Sequence, residues 1–514
     1  MSTPPPYGII YNWDGAPHAY SEVPQSMDDL LRHVYAPLAG TQVGALFWCV
    51  GEHQARWKSA VLEMVGEFTN RRYENARDYI YAENILAMLE RGEDPQAAIV
   101  RRGREMGLHV YFSVRVNDNH FGTLQPEDLR SHPLHGELTR MRVDHPEWLL
   151  SSRAPRRFGA SWDLSVPEVR ANRLAHIEEV CRLYDWDGIE LDWQRHAFHF
   201  PAGHGHRMMY ALTDLQRAAR KVTRALGVNR GRPYYLAARV SGSMEQCRRI
   251  GYDLPTWVQQ GLVDILIPAA GGAATDPSIN LAEFLDLCRG TDVQVYPGLD
   301  SGLPIRQTWP EDERTRDVLR TRAIAARYHR DGARGIYVFN WHANAESRRA
   351  QLTEIGSPET LRGKDKLYAA THYYDREDLY KGDALRGEVP VALVRTLTGD
   401  GPSFTIDIAE DGGAAPLDTV ELRVRLDQWV KGDFVRVFWD GHELDGATVR
   451  YEPARRPALG DVSAVSWHTY ALTPGQAGPG EHRARAVMEQ RNPRIASDIV
   501  LTDVEVLVRY HSGA

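Results

Sequence analysis

Eight short apolar runs alternate with stretches of helical pattern through roughly the first two thirds of the chain, and this alternation limits the possible folds most strongly. The apolar runs occupy residues 7–14, 43–51, 108–118, 186–194, 234–241, 263–268, 293–300 and 335–341. Continuous apolar runs are typical of parallel strands that are buried on both faces. Eight successive strand–helix units predict an α/β fold, a (β/α)8 TIM barrel over residues 1–360.

An open, doubly wound sheet is the alternative fold for such an alternation. That fold would be expected to carry a glycine-rich nucleotide-binding loop directly after its first strand. The segment that follows residues 7–14 contains no such loop. The sequence therefore favours the closed barrel, and it suggests no nucleotide or other cofactor.

The character of the sequence changes after residue 360. Residues 361–390 are charged and rich in tyrosine, which indicates a linker or a strap across the barrel. Residues 391–514 contain β-type segments separated by turn clusters such as Asp411-Gly412-Gly413. Short strands divided by turn signals are typical of a β-sandwich, so we predict an all-β accessory domain at the C-terminal end.

Composition excludes several classes of partner. The 514 residues carry a net charge of -8, which gives no basic footprint for nucleic acid or for an anionic membrane surface. No run of 18 apolar residues occurs, and residues 1–6 lack the basic and apolar parts of a signal peptide. We therefore expect a cytoplasmic protein, while its oligomeric state is left open.

Polar side chains and tryptophans gather where the predicted barrel strands end. The active site of such a barrel lies at the C-terminal ends of its strands. Aromatic rings at these positions stack on sugar rings, and polar groups bind sugar hydroxyls, so the set favours an oligo- or polysaccharide substrate. The strand-end residues are Asn12, Trp13, Asp14, Trp48, Glu52, Arg115, Asn117, Asp118, His120, Glu190, Asp192, Gln194, Arg195, Arg239, Ser241, Asp300, Asn340, Trp341 and His342.

The fourth apolar run carries the leading catalytic candidates. Side chains alternate across a strand, so Glu190, Asp192 and Gln194 share one face. Glycoside hydrolysis usually needs two carboxyl groups, and neighbouring carboxylates raise one another's pKa, which keeps one of them protonated. We predict Asp192 and Glu190 as the catalytic carboxyls, with Asp300 in reserve. The alternative is that Glu190 or Asp192 is a buried acid paired with an arginine.

The remaining polar strand-end residues are predicted to bind substrate. Arg115 and Arg239 fit two roles, because they would bind a carboxylate or sulfate on the substrate or would neutralise the acids of the fourth strand. His120 follows Asp118 and fits an acid–base or sugar-binding role. The predicted substrate-binding residues are Arg115, Asn117, Asp118, His120, Gln194, Arg239, Asn340 and Trp341.

Two family resemblances can be stated on these residues. Residues 187–194, Asp-Gly-Ile-Glu-Leu-Asp-Trp-Gln, resemble the fourth-strand signature of family 18 chitinase-like barrels, Asp-Gly-x-Asp-x-Asp-x-Glu. Gln194 stands where that family has its glutamate proton donor. A second resemblance covers residues 1–345 and is to bacterial glycoside-hydrolase-like barrels related to family 10. The segments that carry it are residues 187–192 and 113–120. This resemblance implies a glycosidase or a carbohydrate-binding barrel.

Two other functions remain open from the sequence. A barrel that binds carbohydrate without cleaving it is favoured by Gln194, since an amide cannot donate a catalytic proton. A metal-dependent hydrolase would use the histidines of residues 196–206, although their spacing matches no strong zinc motif and no metal ligand is assigned.

Overall fold

The structure is a computed structural model. It describes residues 3–13, 22–50, 54–154, 158–269, 279–300, 310–372, 387–396, 398–410, 417–454 and 462–511. Of the strand-end residues named from the sequence, Asp14 and Glu52 lie outside these ranges.

The first part of the described chain forms a closed parallel barrel. Its strands pair in the ring order β1-β2-β3-β4-β5-β6-β8-β9, and β9 returns to β1. The short strands β7 and β8 both pair with β6 and together form the seventh strand of the ring. The predicted (β/α)8 barrel is therefore confirmed. The strands are β1 Ile9–Trp13, β2 Val43–Trp48, β3 His109–Arg115, β4 Gly188–Asp192, β5 Tyr235–Ser241, β6 Ile265–Ala269, β7 Gln294–Val295, β8 Gly298–Asp300 and β9 Ile336–Phe339.

Helices cover the outside of this barrel. Several begin where a side chain accepts a hydrogen bond from the first turn, as Ser26 does from Asp29 and Asn75 does from Asp78. The helices are α1 Met27–Tyr35, α2 Ala76–Glu90, α3 Pro95–Glu105, α4 Arg140–Asp144, α5 Pro167–Leu183, α6 Met209–Arg230, α7 Met244–Ile250, α8 Leu254–Gln259, α9 Leu281–Cys288, α10 Glu313–Asp331, α11 Glu346–Gln351 and α12 Pro358–Leu361.

The barrel interior is filled by side chains from every second strand position. Tyr111, Ile267 and Tyr337 belong to this interior cluster, whereas Ile189 and Leu191 of β4 belong to the larger core between the strands and the helices. Because Ile189 and Leu191 face the helices, Glu190 and Asp192 face the barrel axis. The strand pattern thus places both carboxyls inside the barrel.

The C-terminal part forms two antiparallel sheets around a second core. One sheet has the order β10-β19-β13-β17-β16 with β11 beside β19, and the other has the order β12-β18-β14-β15. The predicted all-β domain is confirmed. Its strands are β10 Lys366–Ala369, β11 Val391–Leu393, β12 Ser403–Ile408, β13 Leu417–Asp427, β14 Phe434–Trp439, β15 His442–Leu444, β16 Thr448–Tyr451, β17 Val465–Leu472, β18 Gly480–Gln490 and β19 Ile499–Tyr510.

The β-domain packs against the barrel through helix α10. Leu319 of this helix clusters with Leu367 of β10 and Leu507 of β19. Arg316 of α10 lies 3.2 Å from Glu505 in a fully buried ion pair. Strand β10 lies within residues 361–390, which the sequence assigned to a linker or strap, and it pairs with β19 along its whole length.

Two further observations bear on the sequence predictions. The four cysteines, Cys49, Cys181, Cys247 and Cys288, are buried, and none of them forms a disulfide with a described residue. Among the described residues, no helix combines the length and the apolar character that crossing a membrane requires.

Candidate active site

Three neighbouring strands bring a carboxylate and two arginines side by side at the barrel mouth. In the strand register, Arg115 of β3 lies beside Asp192 of β4, and Asp192 lies beside Arg239 of β5. All three residues are almost completely buried, with between 1% and 4% of their surface exposed. Because these are the C-terminal ends of parallel strands, the row borders the usual active-site position of such a barrel.

Asp192 is held in place by four hydrogen bonds. Arg239 Nη1 donates to both carboxylate oxygens at 3.2 Å, and the backbone N–H groups of Gln194 and Arg195 donate to Oδ1 at 3.0 Å. The backbone bonds form because the chain turns directly after β4. Asp192 is therefore a fixed carboxylate, and its orientation is set by both the turn and the neighbouring strand.

Glu190 lies one layer deeper and is sealed from solvent. Its Oε2 accepts hydrogen bonds from Asn12 Nδ2 at 3.0 Å and from the Ser113 hydroxyl. Burial, and then the charge of Asp192, raise the pKa of Glu190 from 4.5 to about 7, although the bond from Ser113 opposes the shift. Glu190 is therefore largely protonated below neutral pH.

The buried Glu190 predicts a pH-dependent stability. Below pH 4.5 the carboxyl is protonated in both the folded and the unfolded chain, so its burial costs no ionisation energy. Between pH 4.5 and about 7 the unfolded chain releases the proton that the folded chain retains, so the free energy of unfolding falls as pH rises. Over this window we expect the free energy of unfolding of wild type to fall by on the order of 3 kcal/mol, a loss that Glu190→Gln should not show.

Chemical denaturation of both proteins at pH 4.5 and pH 8 measures this difference. Glu127→Gln, which alters an exposed glutamate, serves as the control and should follow wild type. Parallel pH profiles for wild type and Glu190→Gln would contradict the prediction.

A second carboxylate, Asp118, organises the loop after β3. Arg115 Nη1 donates to it at 3.0 Å, and His196 Nδ1 lies 2.6 Å from its other oxygen. Burial alone would raise the pKa of Asp118, but the charges of Arg115 and His120 and the bond from His196 hold it well below its usual range. Asp118 thus joins β3 to the loop after β4 and to the edge of the mouth.

His120 is the more exposed member of this network. Its Nδ1 lies 3.4 Å from Asp118 and 3.0 Å from Glu137, and its Nε2 lies 3.2 Å from Arg195 Nη2. Burial works to lower the pKa of His120, but Asp118 and Glu137 raise it overall. A cavity of about 270 Å3 opens beside His120 and is also lined by Tyr81 and Asp78.

Three arginines converge on the ring of Phe339. The guanidinium carbon of Arg239 lies 4.0 Å from the ring centroid, that of Arg115 lies 5.5 Å away, and that of Arg195 lies 5.6 Å away. Phe339 is the last residue of β9, and Asp300 of β8 lies beside it in the strand register. The mouth therefore combines clustered cations with carboxylates from two separate strands, β4 and β8.

Asn117 is placed between two loops. Its Nδ2 donates to the backbone carbonyls of Trp162 at 2.9 Å and Phe198 at 2.6 Å, and its Oδ1 accepts from the Trp162 N–H at 3.0 Å. The sequence predicted a sugar contact for this residue. The structure shows that its amide is occupied in joining the loops that follow β3 and β4.

Replacing Asn117 by alanine is expected to lower the free energy of unfolding by about 2 kcal/mol, because buried backbone groups lose their partners. Thermal or chemical denaturation measures this loss. Asn229→Ala, at an exposed position near the end of α6, is the control and should change stability by less than about 0.5 kcal/mol. Unchanged stability together with weaker sugar binding would instead favour the contact role.

The strand-end tryptophans lie in the core. Trp341 is 1% exposed, donates its Nε1 hydrogen bond to the Arg348 carbonyl at 3.0 Å and packs under the Arg348 side chain. Trp13 and Trp48 also belong to the core. A buried ring offers no free face to a sugar, so the position of Trp341 does not support its predicted role.

Asn340 and Gln194 border the mouth in different ways. Asn340 follows β9 with a φ of 51°, a left-handed conformation that asparagine tolerates better than most residues. Gln194 is 2% exposed, and neither its Oε1 nor its Nε2 hydrogen-bonds to a described residue. Buried amides nearly always have partners, so Gln194 is unusual.

The histidines of residues 196–206 do not converge on one point. His196 contacts Asp118, while His199 Nε2 lies 3.1 Å from the Trp193 carbonyl and 3.0 Å from the Tyr252 hydroxyl. His206 is exposed near Met209. Within the described ranges no group of three or more His, Cys, Asp or Glu side chains could hold a metal ion, so the metal-dependent alternative gains no support.

Three site residues were not predicted from the sequence. Ser113 and Phe339 lie two positions from residues on the same strand face, Arg115 and Tyr337, so strict alternation could have identified them. Glu137 lies on a connection far from His120 in sequence, and no local pattern indicates their contact.

No protein-family model matches this sequence, and no curated protein matches it. Among solved structures, similar chains include a cycloisomaltooligosaccharide glucanotransferase from Paenibacillus sp. (12% identity, 96% of this chain and 57% of that chain, TM-score 0.34). Another is an α-L-fucosidase from Paenibacillus thiaminolyticus (15% identity, 68% of this chain and 48% of that chain, TM-score 0.38). A third is a GH36 α-galactosidase from Geobacillus stearothermophilus (12% identity, 98% of this chain and 55% of that chain, TM-score 0.36). The chain spans about half the length of these three structures. None of the three is described as a family 10 or family 18 enzyme.

Proposed function

We propose that this protein hydrolyses a glycosidic bond at the barrel mouth. The observation that carries the proposal is Asp192, a strand-end carboxylate fixed by Arg239 and by two backbone N–H groups. Asp300, half-buried at the end of β8, supplies a carboxyl from another strand of the mouth. Two carboxyl groups on different sides of a sugar ring are the usual requirement for glycoside hydrolysis.

The roles follow from position. Asp192 stabilises positive charge at the anomeric carbon, either directly or through a water that it deprotonates, and Asp300 protonates the departing glycosidic oxygen. Glu190 touches no substrate, because it is sealed beneath Asp192, and it limits the negative charge there while protonated. His120 and its adjoining cavity border the mouth and would contact a further part of the substrate.

A panel of 4-nitrophenyl glycosides tests this proposal. Wild type should release nitrophenol from the glycoside that it cleaves. If Asp300 is the acid, Asp300→Asn should keep this activity but lose activity on the same sugar linked to a poor leaving group. Such a split is expected because a good leaving group needs no proton. Absence of turnover across the panel and across natural oligosaccharides would exclude the proposed hydrolysis.

The second candidate is a barrel that binds carbohydrate without cleaving it. The specific observation in its favour is that both oxygens of Asp192 are bound by Arg239, while Glu190 has no exposed surface. Carboxylates held in this way can serve to keep the barrel end in shape. Calorimetric binding of an oligosaccharide with no product after days would favour this function.

A further inference from the structure

Arg239 uses only one of its three guanidinium nitrogens in hydrogen bonds with the described residues. Both hydrogen bonds that it makes with described residues come from Nη1, and both go to Asp192. Its Nε is buried without a partner in the described part of the chain. A guanidinium usually binds an oxyanion through two nitrogens at once, and no described residue hydrogen-bonds to the edge that Nε and Nη2 form.

The neighbouring groups add cations and an unpartnered amide. Arg115 and Arg195 lie around the same Phe339 ring as Arg239, and both approach the same carboxylate, Asp118, at 3.0 and 3.8 Å. In the ion pairs between described residues of the mouth, three guanidinium groups thus share two carboxylates, Asp118 and Asp192. The amide of Gln194, directly after β4, also lacks a partner among the described residues.

Other described charged groups that face this cluster include Asp300, Glu190 and His120. Asp300 lies within electrostatic range of Arg239, and Glu190 is largely neutral below pH 7 because burial raises its pKa. His120 adds a positive group whose pKa is raised overall by Asp118 and Glu137 against the effect of burial. When Asp300 holds the proton that the proposed mechanism gives it, the three described guanidinium groups outnumber Asp118 and Asp192 by one, and an oxyanion would balance that charge.

We propose that the mouth recognises an anionic group on the sugar, a carboxylate or a sulfate ester, through the Nε–Nη2 edge of Arg239 with Arg115 and Arg195 beside it. The inference rests on the proposed glycosidase function and names its substrate class: uronic acid or sulfated glycosides. Unsatisfied buried polar groups are costly, so an oxyanion that pairs with Arg239 removes a penalty that the free protein carries.

Kinetic selectivity tests the proposal. The probes are the 4-nitrophenyl β-glucoside and β-glucuronide, the α-galactoside and α-galacturonide, and the β-N-acetylglucosaminide with and without a 6-sulfate. At constant ionic strength, wild type should favour the anionic member of the pair it cleaves at least about tenfold in kcat/KM, the effect of one charge-assisted pair. Preference within the sulfate pair assigns a sulfate, and preference within a uronide pair assigns a carboxylate.

Arg239→Lys is the decisive variant, because lysine keeps a cation beside Asp192 but lacks the guanidinium edge. It should reduce the selectivity to about twofold or less, and Arg195→Gln should reduce it partly. Arg207→Gln, an exposed arginine in the loop after β4, is the matched control and should leave selectivity unchanged. Preference for neutral glycosides, or selectivity that survives in Arg239→Lys, would overturn the inference while leaving the hydrolase proposal intact.

Thermal denaturation gives a readout that does not need turnover. Sodium glucuronate, galacturonate and sulfate are compared with glucose and galactose, with sodium chloride holding the ionic strength constant. A ligand that binds the folded protein alone raises its unfolding temperature. Stabilisation by one of the anions in wild type that is absent in Arg239→Lys supports the anion site even if no glycoside is cleaved. No anion-specific stabilisation together with no anion-selective turnover rejects it.

Discussion

Replacing Asp192 by asparagine is expected to lower kcat/KM at least about a thousandfold for any glycoside that the wild-type protein cleaves. Asparagine keeps the shape of the side chain, and its Oδ1 can still accept the backbone bonds from Gln194 and Arg195. It cannot carry the negative charge that stabilises an oxocarbenium-like transition state. A loss of activity in a preparation that remains folded therefore belongs to the chemical step.

Steady-state kinetics with circular dichroism of the same preparations checks this prediction. Asp214→Asn is the control, because Asp214 is an exposed acid of α6 that pairs with Arg217 on the helix surface. It should retain wild-type activity. If Asp192→Asn kept more than about a tenth of the activity, Asp192 would not be the catalytic carboxylate.

Replacing Arg239 by methionine is expected to lower the free energy of unfolding by about 4 kcal/mol. Asp192 would then remain 1% exposed with its charge no longer matched by the adjacent cation, which burial makes costly. Phe339 would also lose the guanidinium that lies 4.0 Å from its ring. The two effects act in the same direction.

A double-mutant cycle separates the ion pair from the packing. Asp192→Asn combined with Arg239→Met should be more stable than the sum of the two single losses predicts, because the unmatched charge is gone. Arg217→Met, which breaks the exposed pair with Asp214, should cost less than about 1 kcal/mol. Additive losses in the cycle would show that Arg239 contributes by packing and not by pairing with Asp192.

The sequence predicted the barrel because its signal is local and repeated. Each apolar run is long enough to indicate a buried strand, and eight of them in alternation with helices leave few topologies. The alternation within β4 likewise places Glu190 and Asp192 on one face, and the structure turns that face to the barrel axis. These features depend on neighbours within a few residues along the chain, so they can be read before any contact is known.

Individual site roles were harder to predict, since they depend on contacts between distant residues. Asn117 and Trp341 both lie at strand ends, where sugar-binding residues are expected. The amide of Asn117 instead joins two loops, and the ring of Trp341 packs under Arg348. Both residues have polar or aromatic groups that suit either role. Only the path of the surrounding loops determines which partner each group meets.

The sequence by itself determined the fold class, the two-part organisation and the acidic strand that leads to the mouth. It left open whether Arg115 and Arg239 neutralise the acids or bind an anion. The tertiary structure adds that Arg239 uses one nitrogen for Asp192 beside Phe339, while its Nε has no partner among the described residues. The physical reason for this division is distance along the chain: strand periodicity is set by adjacent residues, whereas β5 and β9 meet only when the barrel closes.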